Sequence, residues 1–466
     1  MAIYISWKVR KNNMKLYLKE LKKICFSVVY VIFLALLIFS WSNNFRGVTE
    51  EQIELANSNS DTSIFSDSIL QKPEEGQDSY GTMPSENEEG IMVGAVDLLL
   101  MQYESNSYPT YPFGYYKEVV LSDEDQNRIL EILMEITGLD EETLHNLPDN
   151  YFPSVNGNIF HPNANVSVGD NGEYILDIDQ ESDYLFESQV SYEQFKELME
   201  EVDGILGGKS YFELNMLIQY YGNVEMTYED AVAEYEQNVE TDKVSTSFAR
   251  LFCDYMGLIV GLYPVFIAVV LWLKDRKNKM NEFIYCKKIS SFKLVFVRYL
   301  AILTAVLLPI ILFSFESLIP LMEYSKNTGI VIDNFAFIKY ILWWLLPTTM
   351  IVSAIGTFFT ILSGLPIAII IQIIWWFIDR RNVLVGENSL STLIIRHNTL
   401  GNSSAISNNL ETIWLNRGLL FGLAIILIIL SSIIYSMKRK GKLNIEYKFT
   451  KLWYILKEKY LLIFKK

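Results

Sequence analysis

Uncharged apolar runs alternate with basic loops and one long acidic stretch, and that alternation predicts the architecture. Residues 256–273 (MGLIVGLYPVFIAVVLWL) carry no charge. As a helix rising about 1.5 Å per residue they cover about 27 Å, close to the depth of a hydrocarbon core. Residues 24–41 form an earlier run, and residues 299–319 a later one with a single acid, Glu316, in it. Residues 336–378 are a long apolar stretch broken at Ser363-Gly364-Leu365-Pro366, which predicts a tight helical hairpin. Its second arm, 365–378, reaches only about 21 Å. Either the turn lies earlier, near Gly356, or that arm is short and leads into a partly re-entrant segment over 382–416. Residues 419–437 are the last run, giving six transmembrane helices.

Charge orients these runs. The segment 274–298 holds Lys274, Arg276, Lys277, Lys279, Lys287, Lys288, Lys293 and Arg298, and residues 438–442 read KRKGK. Short basic loops next to membrane spans resist translocation, so both are expected in the cytoplasm, with both termini on that side of a bacterial cell membrane. Asp379-Arg380-Arg381 runs against this rule by placing two arginines outside. Residues 42–248 hold 43 acids and 7 bases, a net of −36, whereas the remaining chain holds 32 bases and 12 acids, a net of +20. An acidic block joined to a basic, apolar block predicts one extracellular domain and one multi-pass membrane unit.

The expected order follows. Residues 1–23 place apolar residues at helical spacing among lysines, which suits an interfacial helix on membrane lipids. After the first span (24–41), residues 42–90 are polar and low in aromatics and predict a flexible acidic stalk. Residues 91–248 predict an α+β extracellular domain inserted between helices 1 and 2. Ser122 with Asp125, Ser191 with Gln194, and Thr227 with Asp230 mark helix starts; Gly138 and Gly207-Gly208 mark stops. Residues 164–178 alternate around Gly169-Asp170-Asn171-Gly172, a hairpin signal. The second span covers 249–273, the cytoplasmic loop 274–298, and the later spans 299–437. The basic tail 438–466 carries a second interfacial helix. The three cysteines, Cys25, Cys253 and Cys286, all lie outside 42–248, so that domain has no internal disulfide.

Motifs for chemistry are weak. Gly207-Gly208-Lys209-Ser210 lacks the earlier glycine of a phosphate-cradling loop, because that place holds Asp203. A helix-ending turn is the better reading. Asp177, Asp179, Glu181 and Asp183 resemble a calcium loop, but Ser182 and Ser188 stand where glycine and glutamate are needed. His145, His161 and His397 are scattered. We expect no intrinsic enzyme, catalytic residue, metal, cofactor or nucleic-acid partner. Polar residues near the apolar runs are Arg250, Asp254, Glu316, Lys339 and Gln372. Ions inside a membrane are costly and usually paired or functional. Glu316 and Lys339, on consecutive antiparallel spans near the outer surface, are expected to touch; the alternative for Glu316 is a carboxylate reaching headgroup water.

Within the basic loop, Glu282 is followed by Ile289-Ser290-Ser291, a basic residue and the next span. This resembles permeases of type-2 ABC exporters. Ile394-Ile395-Arg396-His397-Asn398, and Asn416-Arg417 opening the last span, are similar too. The resemblance covers the membrane part and implies a coupling helix in the loop that docks on a separate ABC ATPase subunit. It also implies a homodimer or a heterodimer with a second permease, with substrate passing along a seam of spans one, two and five. Glu282, Phe283 and Tyr285 are the expected contacts with the ATPase, because an acid flanked by aromatics offers a directed ion pair and an apolar anchor. The alternative is that both aromatics dip into the inner leaflet. A rival function is a membrane-anchored sensor or assembly protein whose acidic domain binds a ligand.

Overall fold

The computed structural model describes residues 2–57, 69–77, 80–111, 116–148, 150–152, 166–168, 174–176, 185–278, 280–379, 389–397 and 399–443. The Gly169–Gly172 turn, the acids at 177–183, His161, Arg380, Arg381, Asn398 and the 444–466 tail lie outside these residues. The described chain forms two compact units, Met1–Lys72 with Val232–Lys466, and Pro73–Ala231.

The first unit opens with α1 (Ala2–Cys25), which stops where Ser27 turns extended and caps α2 (Val28–Asn44). The Ser27 hydroxyl accepts from the Tyr30 amide at 3.2 Å, satisfying one of the donors that every helix start leaves open. A short turn then leads to α3 (Val48–Asn57). Residues 48–57 were expected in a flexible stalk. They are helical instead and pack on a long helix described below, where the Thr49 hydroxyl meets that of Ser317.

The second unit has its own core. It contains α4 (Glu88–Ser105), α5 (Asp123–Thr137), α6 (Glu141–Leu144), α7 (Tyr192–Leu206), α8 (Leu214–Tyr221) and the start of α9 (Tyr228–Glu236). The sequence signals work as stop and start marks. Ser122 caps α5, and Gly138 ends it in the left-handed conformation that glycine adopts without strain. Ser191 and Gln194 close a reciprocal capping box on α7. Ile129, Ile132, Leu133 and Ile136 of α5 are buried against Phe195, Met199 and Val202 of α7 and Val96 and Leu99 of α4. Six three-residue strands are described: β1 (Thr82–Pro84), β2 (Tyr108–Thr110), β3 (Lys117–Val119), β4 (Val166–Val168), β5 (Tyr174–Leu176) and β6 (Asn223–Glu225). They form the antiparallel pairs β1–β6, β2–β3 and β4–β5. The unit starts earlier than residue 91, because β1 pairs with β6, and stops before 248, because Val244 and Phe248 are buried in the core of the first unit.

After α9, one π-helical turn (Gln237–Thr241) and the positive φ of Lys243 and Val244 interrupt the helix before α10 (Ser245–Val260). Then follow α11 (Pro264–Lys277), α12 (Asn281–Tyr285) and α13 (Ser291–Thr328). A π-helical turn joins α14 (Ala336–Tyr340) to α15 (Leu346–Ser363), and α16 (Ile367–Asp379), α17 (Ser403–Asn408) and α18 (Leu410–Arg439) complete the unit. Among the described residues, five helices, counted across their small breaks, are long and apolar enough to cross a membrane: 28–56, 245–277, 291–328, 336–363 and 410–439. The chain is a mostly helical, polytopic membrane protein by that measure. The other expected run is the 13-residue α16, only about 20 Å long. Its hairpin turn with α15 falls at Gly364, in the left-handed conformation.

Two breaks in the apolar helices are repaired by side chains, as backbone groups require where water is absent. Pro309 inside α13 has no amide hydrogen for the carbonyl of Ala305. The Tyr30 hydroxyl of α2 donates to that carbonyl at 3.0 Å. Between α10 and α11, Gln372 of α16 donates to the Gly261 carbonyl at 2.7 Å, and Trp376 donates to that of Leu258 at 3.3 Å.

Residues 73–231 produced alone are expected to melt in one cooperative transition. The segment contains no cysteine, so reducing agent leaves its Tm unchanged. Calorimetry with and without reductant checks both points.

Candidate functional site

The basic end of the first unit is assembled around three arginines, each reaching from one helix to another. Arg298 lies one and a half to two turns into α13, only 2% exposed. Its Nε donates to Oε2 of Glu20 on α1 at 3.1 Å, and its terminal nitrogen pairs with Asp275 of α11. The guanidinium also lies 4.6 Å from the ring centre of Trp272. Glu20 is itself 3% exposed and accepts from Lys23 at 2.9 Å. A buried charge is tolerated only when neutralised and hydrogen-bonded, so this cation fixes the positions of two acids and of the helices that carry them. The Tyr17 hydroxyl of α1 adds a bond to Thr304 of α13 at 2.8 Å.

Arg276 and Arg439 do the same for backbone. Arg276 donates to the carbonyl of Gly364, tying the end of α11 to the α15–α16 turn. Arg439, in the last turn of α18, donates to the carbonyls of Tyr285 at 2.9 Å, Lys287 at 2.6 Å and Ile289. These carbonyls belong to the loop between α11 and α13. The loop is therefore held by α18, the last helix among the described residues.

Within that loop the three expected contact residues separate. Glu282 is exposed and Phe283 is 67% exposed, side by side on α12. Tyr285 turns inward. Its ring meets that of Tyr435 edge-on at 5.7 Å, and Tyr435 in turn meets Trp272 at 5.6 Å. Tyr285 is thus an anchor of the loop, while Glu282 and Phe283 form its open face. The Ser290 hydroxyl caps α13 by accepting from the Lys293 amide at 3.2 Å.

At the opposite end, residues 389–397 and 399–401 fold without a helix into the mouth of the bundle. Thr392, Leu393, Ile394, Ile395 and His397 are buried. Their backbone is satisfied by side chains from four helices. Asp379 accepts from the amides of Leu393 at 2.6 Å and Ile394 at 3.0 Å. Asn416 donates to the carbonyls of Ser389, Leu390 and Thr392 at 2.9–3.0 Å. Arg417 donates to Thr392 at 2.8 Å and to the Thr348 hydroxyl at 2.8 Å. Arg250 pairs with Asp242 and donates to the Gly401 carbonyl and to Nε2 of His397. Asp254 accepts from Arg396 and from the His397 amide. Gly257 and Gly261 leave a notch for Ile394, since a Cβ at Gly261 would come within 2.7 Å of that side chain.

Glu316 and Lys339 do not meet. Glu316 accepts from the Gly47 amide at 3.3 Å, so it steadies the turn between α2 and α3. Lys339 pairs with Asp333, the acid just before its own helix. The antiparallel arrangement placed both near one surface, but nearer partners took each. Gly207 ends α7 in the left-handed conformation, and the Asp203 carboxylate accepts from the amide and hydroxyl of Ser210. That puts an acid where a phosphate would need to sit.

Sequence reasoning missed Arg439, Glu20 and Asp275. One signal was present: Glu20 is the sole acid among residues 1–41, set in a basic stretch.

Replacing Arg298 by Met leaves Glu20 and Asp275 buried without their cation, and is expected to destabilise the protein by about 3–5 kcal/mol. Tyr17→Phe, which removes one hydrogen bond, should cost about 1 kcal/mol. Unfolding in detergent compares the two. Arg439→Gln should speed amide exchange over residues 284–290 while leaving the middle of α13 protected, as read by hydrogen–deuterium exchange. No protein-family model matches this chain, and neither a curated protein nor a solved structure shows detectable similarity to it.

Proposed function

We propose that the chain is the membrane-spanning permease subunit of an ATP-driven exporter of the type-2 ABC class, powered by a separate ATPase subunit. The observation that carries this reading is the pair Glu282 and Phe283, exposed together on a short helix whose base is clamped. An exposed aromatic beside an acid offers a docking partner an apolar anchor and a directed ion pair. The clamp supports a mechanical role. Arg439 holds the loop to α18, and Arg298 holds both flanks of the loop to α1. A push on the loop therefore moves α11, α13 and α1 together. The resemblance supplies the direction of the argument: the ATPase docks on the loop, two permeases pair, and substrate crosses a bacterial cell membrane between them. The loop and both termini face the cytoplasm, and residues 73–231 face outward.

A second reading, a membrane-anchored sensor or assembly protein, is favoured by the independent core of the second unit. Such a protein would carry a ligand-binding domain without needing an ATPase.

Purification separates the two. Glu282→Lys with Phe283→Ala is expected to leave membrane insertion intact but to lose at least 90% (roughly) of the co-purifying ATPase, since interface anchors of this kind are worth about 2 kcal/mol or more each. An ATPase retained in full by the double variant refutes the docking role of Glu282 and Phe283, and none bound by the native protein refutes the permease reading. Orientation has its own test. With Cys25 and Cys253 replaced, the exposed native Cys286 should react with an impermeant thiol reagent only after permeabilisation. Ser404→Cys should react in intact cells.

A further inference from the structure

One surface of the second unit has a chemistry that none of the preceding argument uses. Four tyrosines form a continuous row. Tyr116, just after the β2–β3 connection, meets Tyr111 edge-on with ring centres 6.3 Å apart. Tyr111 meets Tyr211 at 5.7 Å, with the two hydroxyls 3.0 Å apart, and Tyr211 meets Tyr220 of α8 at 5.4 Å. The interplanar angles, 72°, 84° and 79°, are all near perpendicular. The ends of the row are open: Tyr116 is 61% and Tyr220 45% exposed. The base is fixed, because Thr110 bridges Ser210 and the Tyr111 amide donates to the Lys209 carbonyl at 2.8 Å.

Rigid, exposed tyrosines at low entropic cost are what recognition surfaces are made of. Two features say what this one fits. Residues 73–231 hold 34 acids and 4 bases, a net of −30, so the unit attracts cations and repels acidic partners and anionic headgroups. Of the nearby bases, Lys209 is paired with Glu213 at 2.9 Å. The perpendicular rings present alternating edges and faces instead of a flat platform. That suits cations seated over separate ring faces, and does not suit a sugar lying flat. The row is at most about 17 Å long, the length of roughly five extended residues.

We propose that this tyrosine row is a binding site for a cationic peptide in extended form, with Arg or Lys side chains over the rings and apolar residues between them. The site does not rest on the permease reading; it stands or falls whether or not an ATPase is bound.

The test uses the full chain in micelles of a non-ionic polyoxyethylene detergent. The probe is a fluorescein-labelled peptide of alternating Arg and Leu, followed by anisotropy. Saturable binding is expected, and Tyr116→Ala with Tyr220→Ala should weaken it about tenfold. Tyr116→Phe with Tyr220→Phe should retain it, because the ring faces remain. Both positions are exposed, so an unchanged melt is expected, and single Tyr116→Ala serves if the double variant is unstable. The same peptide with Glu for Arg should not bind. Equal binding by the alanine variant would show that acidity alone attracts the peptide and overturns the site. Equal binding of the Glu peptide, or displacement of the probe by an uncharged chitin oligosaccharide, overturns it as well. An ATPase that co-purifies normally while the peptide fails to bind sinks this proposal and leaves the permease reading intact.

Discussion

A charge far from water must be matched where it sits, and Arg298 is the point in this protein where that requirement organises most. The guanidinium could have been paired by one acid. It is paired by two, from α1 and α11, and covered by Trp272. Both acids come from helices that also pack through apolar side chains, Tyr17 and Leu21 of α1 and Ile267, Ala268 and Leu271 of α11. The end of α11 carries Lys274, Arg276 and Lys277 around Asp275, and α1 carries Lys22 and Lys23 beside Glu20. One buried cation thus fixes two acids that each sit among bases. Such a pair adds less to stability than an apolar core of equal volume would. What it adds is position.

The same logic, applied to backbone instead of charge, explains the opposite end. A non-helical segment cannot lie among apolar helices unless its amides and carbonyls find partners. Asp379, Asn416 and Arg417 supply them to residues 389–394, and Arg250 and Asp254 to Gly401 and His397. Residues that look like isolated polar intrusions in apolar runs are therefore the scaffold of a buried loop. Gln372 plays this part at the α10–α11 break, and Tyr30 at Pro309.

How much of this could be read from the chain depends on the range of the physics involved. Caps, stops and apolar runs are local. Ser122, Ser191, Thr227 and Gly138 act within a few residues of where they stand. Gly364 marked its turn for the same reason. Pairings across hundreds of residues leave no such trace. Glu20 and Arg298 are 278 positions apart, and nothing in either neighbourhood names the other. Guessing a pair from shared depth failed at Glu316, because the Gly47 amide lay closer, and at Lys339, because Asp333 did. The loop face was half legible. Composition singled out Glu282, Phe283 and Tyr285 together, but only packing against Tyr435 shows which of the three turns inward.

The grip of Arg439 on the loop has a consequence for how the molecule is made. Tyr285 leaves the ribosome 154 residues before Arg439 does. For all that interval the loop carbonyls lack the donor that later holds them. The described form of the loop requires α18 in place. A truncated or wrongly inserted chain would thus carry the right residues in the loop without the right surface. The shape of the loop thus depends on a docked α18.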